Sequence, residues 1–371
     1  MSRIYLDNNS TTPLLPEVLE VMHECAIHYP GNPASAHRSG AAARSKLEEA
    51  RQTIANCLGA YPDEVIFTSG ATEANNLALF GLTADKFGTL IVSSIEHPSI
   101  VESCRRMEAH GWYILPWNID REGYVSGIRD DIKPNLMTLQ LANHETGTVQ
   151  KIAHWQTCFP HALFHCDGTQ AVGKIPVHFH ELDINTLSFS AHKFHGPVGI
   201  GALLVNRCTT LQPHSFGGHQ QKGLRPGTES VALAVGMAKA LELAVHELPL
   251  RQARCLQLRR MFLQLLRDHE VEYQILGDSE RGLVHTLNLS FAGCASELLL
   301  IRLDLAGLDC STGSACSSGS MLASPVLQAM NVPESQLKSS IRFSLSHLLT
   351  DEQISEAVIR IAREVRALRA G

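Results

Sequence analysis

The stretch EVIFTSGATEANNLALFGL, residues 64–82, indicates the fold class of this 371-residue chain. A short β-favouring run leads into a turn of small residues, and a helical stretch follows at once. Residues 89–111, 136–147 and 162–171 each begin with another short apolar run and continue into polar or helical residues. This alternation is typical of β-α units, and it predicts an α/β fold with a mostly parallel sheet covered by helices.

The pattern changes in the second half of the chain. A long helical stretch, residues 231–270, contains Pro249 as a kink or boundary, and mixed strand-like and helical runs follow it. We predict a large α/β domain over residues 12–247. Residues 1–11 and 248–371 are predicted to form a smaller α+β domain that carries a Gly/Ser-rich segment, residues 310–325.

Composition excludes several classes of protein. With 44% hydrophobic and 18% charged residues and no low-complexity tract, the chain is neither disordered nor fibrous. A net charge of −6 without a Lys/Arg-rich run argues against direct binding of nucleic acid. The first residues form no apolar signal region, and no stretch approaches about 18 uncharged apolar residues. We therefore expect a cytoplasmic protein without a membrane anchor.

Ten cysteines are scattered through the chain without any C-x-x-C spacing. Zinc and iron–sulfur sites normally use close pairs of ligands, so we predict no metal site. Disulfide frameworks belong to short secreted chains, and most of these cysteines are therefore interpreted as small core residues.

Three polar motifs follow apolar runs in a set order. Gly70, Ala71 and Thr72 open a helix and form either a phosphate cup or an ordinary turn. Asp167 ends a later apolar run as a site carboxylate or as a helix N-cap. Lys193 follows a third run as a nucleophilic amine or a surface lysine. Together they match what pyridoxal 5′-phosphate (PLP) requires: a phosphate site, an acid for the ring nitrogen and a lysine for the Schiff base.

Two further residues stand out in the predicted smaller domain. Cys316 lies in the middle of CSTGSACSSGSMLASP, where we expect it to be accessible and reactive, unlike the other nine cysteines. A tolerated loop cysteine is the alternative. Arg342, on the strand-like run SSIRFSLS, could bind a substrate carboxylate or could lie on the surface.

Nine stretches in order resemble the cysteine desulfurases of the class V aminotransferase family: YLDNNSTTP, GNPASAHRSG, TSGATEANN, EHPSI, DGTQAVGK, SFSAHKFHGPVGIG, RPGTES, GSACSSGS and SSIRFSLS. The resemblance extends over nearly the whole chain and is to the NifS/IscS-like group with a long catalytic-cysteine loop. It implies a PLP-dependent enzyme of fold type I, active as a homodimer with shared active sites.

The resemblance also implies a role for each site residue. Lys193 would form the Schiff base, Asp167 would meet the ring nitrogen, His97 would stack on the ring and Gln170 would bond its phenolic oxygen. The phosphate would be held by Ala71, Thr72, Ser190 and His192, with Thr228 from the other subunit. Arg342 would bind the carboxylate of L-cysteine. Cys316 would attack its sulfur, leaving L-alanine and an enzyme persulfide whose sulfur passes to an acceptor protein.

The chain departs from the family pattern at two places. His144 stands where the family usually has an asparagine that contacts the cofactor, and its imidazole N–H is expected to replace the amide donor. The sequence stops soon after its last predicted helix, without the segment that housekeeping members use to dock an iron–sulfur scaffold. We therefore leave iron–sulfur assembly, tRNA thiolation, nitrogenase cofactor supply and DNA phosphorothioation open as destinations of the sulfur. Another PLP lyase, such as a selenocysteine lyase, and a catalytically silent docking subunit are the alternative functions.

Overall fold

A computed structural model of the chain describes residues 2–84, 86–127, 132–313 and 323–370. The strands are β1 Ile4–Tyr5, β2 Val65–Thr68, β3 Thr89–Ser93, β4 Tyr113–Trp117, β5 Leu136–Thr138, β6 Leu163–Asp167, β7 Thr186–Ser190, β8 Gly201–Val205, β9 Gln274–Ile275, β10 Thr286–Ser290, β11 Leu308–Asp309 and β12 Ser340–Ser344. The α-helices are α1 Pro16–His28, α2 Arg38–Cys57, α3 Ala71–Thr83, α4 Pro98–Glu108, α5 Ile152–Cys158, α6 Phe179–Leu182, α7 Val231–His246, α8 Leu248–Asp268, α9 Ser296–Leu305, α10 Pro325–Ala329, α11 Glu334–Leu337 and α12 Asp351–Ala370.

A seven-stranded sheet forms the centre of the fold, in the order β2-β8-β7-β6-β5-β3-β4. All neighbours pair in parallel except β8, which is antiparallel to both β2 and β7. The predicted α/β fold with a mostly parallel sheet is confirmed. Because β2, β6 and β7 run in the same direction, their carboxyl ends lie at one edge, where ligands collect in such sheets.

A second, smaller group of strands lies outside this sheet. β10 pairs antiparallel with both β9 and β12, and β1 pairs in parallel with β11. Their apolar residues share one core with α8, α9 and α12 that includes Ile4, Leu6, Phe262 and Phe343. The chain start is therefore packed among the last hundred or so residues, while the division into domains at residues 11/12 and 247/248 stays a prediction.

Pro249 marks a helix boundary, as the sequence predicted. α7 ends at His246, and α8 begins at Leu248 with the proline in its first turn. A proline is tolerated there because the first helical N–H groups have no partner within the helix. Within the described ranges, no helix is both long enough and apolar enough to cross a bilayer.

Candidate active site

A cavity of about 470 Å³ opens at the carboxyl edge of the large sheet. It brings together all of the predicted site residues in the described ranges except Thr228. The residues that line it are Ala71, Thr72, His97, His144, Asp167, Gln170, Ser190, His192, Lys193 and Arg342. The cavity is large enough for a small cofactor and substrate.

Two predicted residues are not in this set. Thr228 lines a smaller neighbouring cavity. Ser69 and Gly199 line both this cavity and the main one. The contribution of Thr228 to a second subunit's site stays a prediction. Cys316 lies outside the described residues, although Gly313, just before that segment, lines the main cavity.

The start of α3 forms one end of the cavity. Its N-cap is Gly70, which has no side chain to bond the first helical N–H groups. Those groups and the helix dipole favour an anion at this point. A side chain on Gly201 of β8 would come within 2.7 Å of the Gly70 backbone, so the close approach of strand and helix start requires glycine.

Asp167 ends β6 and is 5% exposed. Its Oδ1 accepts the Thr169 backbone N–H at 2.9 Å, and its Oδ2 accepts the Asn75 side-chain amide at 2.9 Å. A helix N-cap alone does not explain these contacts, because Asp167 also accepts a hydrogen bond from Asn75 of α3 and lines the cavity. A buried carboxylate in this position can meet a cationic ligand group.

Lys193 lies in a short 3₁₀ turn, residues 191–193, that directly follows β7. Its Nζ donates to the backbone oxygens of Asn9 and Ser10 at 2.7 and 2.8 Å. The chain start is held there because Thr12 donates its backbone N–H to the His192 carbonyl oxygen at 2.9 Å. The surface interpretation of Lys193 is wrong, since the amine reaches into the cavity beneath the N-terminal segment.

His97 caps α4, and this contact decides which ring nitrogen carries its proton. The Ser99 backbone N–H donates to His97 Nδ1 at 3.1 Å, so Nδ1 is an acceptor. Burial lowers the pKa of His97, which outweighs the opposing effect of Asp167. A neutral ring with an occupied Nδ1 holds its proton at Nε2.

His144 lies edge-on to His97, with ring centroids 5.7 Å apart. Burial, together with His97, Arg342 and Lys193, lowers its pKa well below the usual value, so the ring is neutral. Its Nδ1 is buried without a hydrogen-bond partner among the described residues. The ring lines the cavity and keeps an unused polar atom there, while its correspondence to the family's asparagine stays a prediction.

Gln170 bonds Lys174 directly and shares an acceptor with Lys193. Its Oε1 accepts from Lys174 Nζ at 2.6 Å, and its Nε2 donates to the same Asn9 oxygen that Lys193 uses, at 2.9 Å. Burial and the nearby cations lower the pKa of Lys174 well below its usual value. His192 is likewise half-buried, and burial lowers its pKa to about 4.

Arg342 projects from β12 with a side chain that is only 4% exposed. It donates to Asp7 Oδ1 at 2.7 Å, Ser10 Oγ at 2.9 Å and the His144 carbonyl oxygen at 3.1 Å. Its Nε is buried with no partner in the described part of the chain. The surface interpretation is wrong, and the guanidinium keeps a donor available beside the cavity.

Comparison with known proteins identifies the family of the chain. The family model "Aminotransferase class-V" matches residues 4–356. The chain belongs to that family. It is 40% identical to "Cysteine desulfurase IscS" of Dictyoglomus turgidum, over 99% of this chain and 95% of that protein. Among solved structures, "NIFS-LIKE PROTEIN" superposes with a TM-score of 0.90 at 32% identity, covering 97% of this chain and 98% of the other. "SspA in complex with cysteine" superposes with a TM-score of 0.82 at 33% identity, covering 92% and 98%.

Class-V aminotransferases are PLP enzymes, and the residues of the cavity fit that group. The uncapped start of α3 suits a phosphate. Asp167 offers a carboxylate to a protonated ring nitrogen, and Lys193 lines the same cavity. The unused His144 Nδ1 adds a polar atom that a bound group could satisfy.

The cysteines of this class-V member differ from the prediction in one respect. Five of the nine described cysteines are buried and two are half-buried, but Cys158 and Cys208 are exposed. Both lie at or beyond the end of a secondary-structure element, where packing ends. Accessibility alone therefore does not distinguish Cys316 from all the others.

Several polar residues of the site were missed by sequence reasoning, namely Asp7, Asn9, Ser10, Asn75, Glu145 and Lys174. The run of polar residues after β1 was a usable signal, because such a run without strand or helix periodicity must find polar partners if it is buried. Lys174 lies four residues after Gln170 and was also detectable by spacing.

Proposed function

We propose that this chain is a PLP-dependent cysteine desulfurase, which converts L-cysteine to L-alanine and takes up the sulfur as a persulfide on Cys316. One observation carries the proposal: an uncapped helix start, a buried carboxylate, an amine and a buried arginine line the same cavity. The relatives named cysteine desulfurase support the choice of reaction.

The cofactor would be held at three points. Ala71 and Thr72 would bind its phosphate, aided by Ser190 and His192, because the α3 start offers N–H donors. Asp167 would meet its ring nitrogen and Lys193 would attach it covalently. When bound, PLP supplies an electron sink for the α-carbon of the substrate.

His97 and Gln170 would complete the cofactor site. His97 is neutral with its proton at Nε2, so it can stack on a ring and donate that proton to a reacting group. Lys174 donates to Gln170 Oε1, and one amide N–H of Gln170 donates to the Asn9 oxygen, which leaves the other amide N–H for an acceptor such as a phenolic oxygen. His144 would contribute its ring in place of the usual asparagine.

Arg342 would bind the carboxylate of L-cysteine. Its buried Nε has no described partner, and planar guanidinium groups bind carboxylates through paired N–H donors. The solved relative described as a complex with cysteine supports an amino acid of this size as the ligand.

The sulfur step balances without an outside oxidant. The Cys316 thiolate attacks the sulfur of the bound cysteine, an S–S bond forms, and the C–S bond breaks with its electron pair going to carbon. That carbon takes up a proton and becomes the methyl group of alanine. The transferred sulfur is oxidised to the persulfide level while the carbon is reduced.

The persulfide sulfur would then pass to an acceptor protein. Iron–sulfur assembly and a dedicated thiolation pathway both remain open as its destination. The proposal also includes a homodimer in which Thr228 of each subunit contributes to the other subunit's site.

Mass spectrometry after brief exposure to L-cysteine without reductant tests the reaction. We expect one added sulfur on the Cys316 peptide and one alanine released for each sulfur bound. Cys158→Ser and Cys208→Ser remove the two exposed thiols of the described residues and are expected to keep the added sulfur, whereas Cys316→Ser loses it. Alanine formation without sulfur on Cys316 would contradict the persulfide. No alanine at all would contradict the desulfurase activity and favour another lyase or a docking subunit.

A further inference from the structure

Asp167 is attached to a group of buried polar side chains that do not line the cavity. Asn75 of α3, His165 of β6, and Thr186 and Ser188 of β7 are each 0% exposed. Four polar side chains at this depth are costly unless each is hydrogen-bonded. None of their side-chain atoms is left without a partner in the described part of the chain.

The direction of each hydrogen bond follows from the acceptor-only carboxylate. The Asn75 atom that lies 2.9 Å from Asp167 Oδ2 must be the amide nitrogen, because it has to donate. The Asn75 oxygen then faces His165 Nε2 at 3.0 Å and the Ser188 hydroxyl, and both of these groups donate to it. Two donors therefore fix the orientation of the amide.

His165 links Asn75 to Thr186 in this hydrogen-bond network. Burial lowers the pKa of its ring to about 4, so the ring is neutral and carries one N–H. That proton is at Nε2, because Nε2 donates to Asn75. Nδ1 consequently accepts from the Thr186 hydroxyl at 2.9 Å. Thr186 donates to His165, His165 donates to Asn75, and Asn75 donates to Asp167. All three hydrogen bonds can form only with this direction of donation.

We propose that Asn75 is a positioning residue that holds the Asp167 carboxylate in one rotation, aimed at the ring nitrogen of the cofactor. The Thr169 N–H fixes the other carboxylate oxygen, so neither oxygen is free to turn. This inference rests on the proposed function, because it assigns Asn75 a role only if PLP occupies the cavity. The contacts are made by α3, β6 and β7; α3 also carries the predicted phosphate site, β6 carries the carboxylate, and the turn with Lys193 follows β7 directly.

Asn75→Asp tests the proposal with almost no change in shape. It replaces the donor by an oxygen that repels Asp167, yet keeps an acceptor for His165 and Ser188. Asn185→Asp is the matched control, since its side chain bonds Phe164 N–H and Thr209 at the opposite, amino ends of β6 and β7. Both variants carry the same substitution, but only Asn75 bonds Asp167.

Three measurements separate positioning from mere folding. The PLP-free proteins are titrated with PLP, the absorbance of the bound cofactor is recorded against pH, and kcat and KM for L-cysteine are measured. We expect Asn75→Asp to weaken PLP binding about tenfold or more, because a hydrogen bond to a charged group is lost. Its absorbance profile should shift and kcat should fall with little change in KM. Asn185→Asp should stay within about twofold of wild type in each measurement.

Ser188→Ala supplies a second test that removes one donor from Asn75 and leaves the helix and both strands intact. We expect about threefold weaker PLP binding, and this variant decides if Asn75→Asp does not fold. Unchanged PLP binding and absorbance in the folded variants would overturn the role of Asn75 and leave the proposed function intact. Equal losses in Asn185→Asp would also overturn that role. A wild-type chain that binds no PLP would overturn the proposed function together with the inference.

Discussion

The Asp167 side of the cavity and its Arg342 side differ in how completely their polar atoms are bonded. Both carboxylate oxygens of Asp167 accept hydrogen bonds, and each member of the buried network behind it, Asn75, His165, Thr186 and Ser188, has a partner. On the other side, Arg342 Nε and His144 Nδ1 are buried without partners in the described ranges. The network behind Asp167 is thus complete, although the neighbouring Thr169 hydroxyl has no partner in the described ranges, and the Arg342 side holds two unpartnered nitrogens.

This difference suggests a division between a resident group and an arriving one. A saturated network is rigid and holds its carboxylate ready before any ligand binds. An unpartnered buried donor costs free energy that a ligand recovers on binding. The Asp167 side is therefore suited to a cofactor that stays, and the Arg342 side to a substrate carboxylate that comes and goes.

Lys193→Ala is expected to have the largest effect, because it removes the amine proposed to bind the cofactor covalently. Alanine formation from L-cysteine should fall about 10³-fold or more. Borohydride reduction followed by mass spectrometry should no longer trap PLP on the chain. Lys174→Ala is the matched control: it removes a second lysine of the same site and should retain the trapped adduct on Lys193. An adduct that persists in Lys193→Ala would contradict the assignment.

The next largest expected effect is on the pH dependence of the free energy of unfolding, through the buried carboxyl group of Glu145. Its Oε2 accepts from the Ser324 hydroxyl, and burial raises its pKa from 4.5 to about 7 despite Arg342 nearby. The folded chain therefore keeps a proton that the unfolded chain releases near pH 4.5. The stability contributed by this group is full below pH 4.5 and is lost as pH rises to about 7, by about 3 kcal/mol in total.

Urea unfolding between pH 4.5 and 7.5 measures this loss. Glu145→Gln has no proton to lose, so its unfolding free energy should fall less over this range than that of the wild type. Glu334→Gln, which changes an exposed glutamate paired with Lys338, should follow the wild-type slope. Equal slopes for Glu145→Gln and the wild type would show that Glu145 does not carry the pH dependence.

The parts of the site that lie at strand ends were predictable from the sequence. Asp167 and Lys193 follow apolar runs, and parallel strands bring their ends to one edge whatever the details of packing. The small residues at 70–72 were predictable for the same reason. Local pattern and sheet direction were sufficient, because no contact distant in sequence had to be known.

The remaining parts depend on contacts that no local pattern encodes. Arg342 meets Asp7 across 335 residues, and Asn75 meets Asp167 across 92. Each partner alone has an ordinary alternative, since an asparagine in a helix or an arginine on a strand is usually exposed. Their burial, and therefore their need for a charged or polar partner, is known only once the elements are packed.

Arg342→Lys should have the smallest effect, and it is the most selective test of the difference between the Asp167 and Arg342 sides of the cavity. Lysine keeps the positive charge beside Asp7 but loses the planar pair of donors. The KM for L-cysteine should rise about tenfold, while PLP affinity should stay within about twofold of wild type. Asn75→Asp should show the reverse, with weaker PLP binding and little change in KM. If Arg342→Lys also released PLP, the two sides would act as one unit, and the division between resident cofactor and arriving substrate would be wrong.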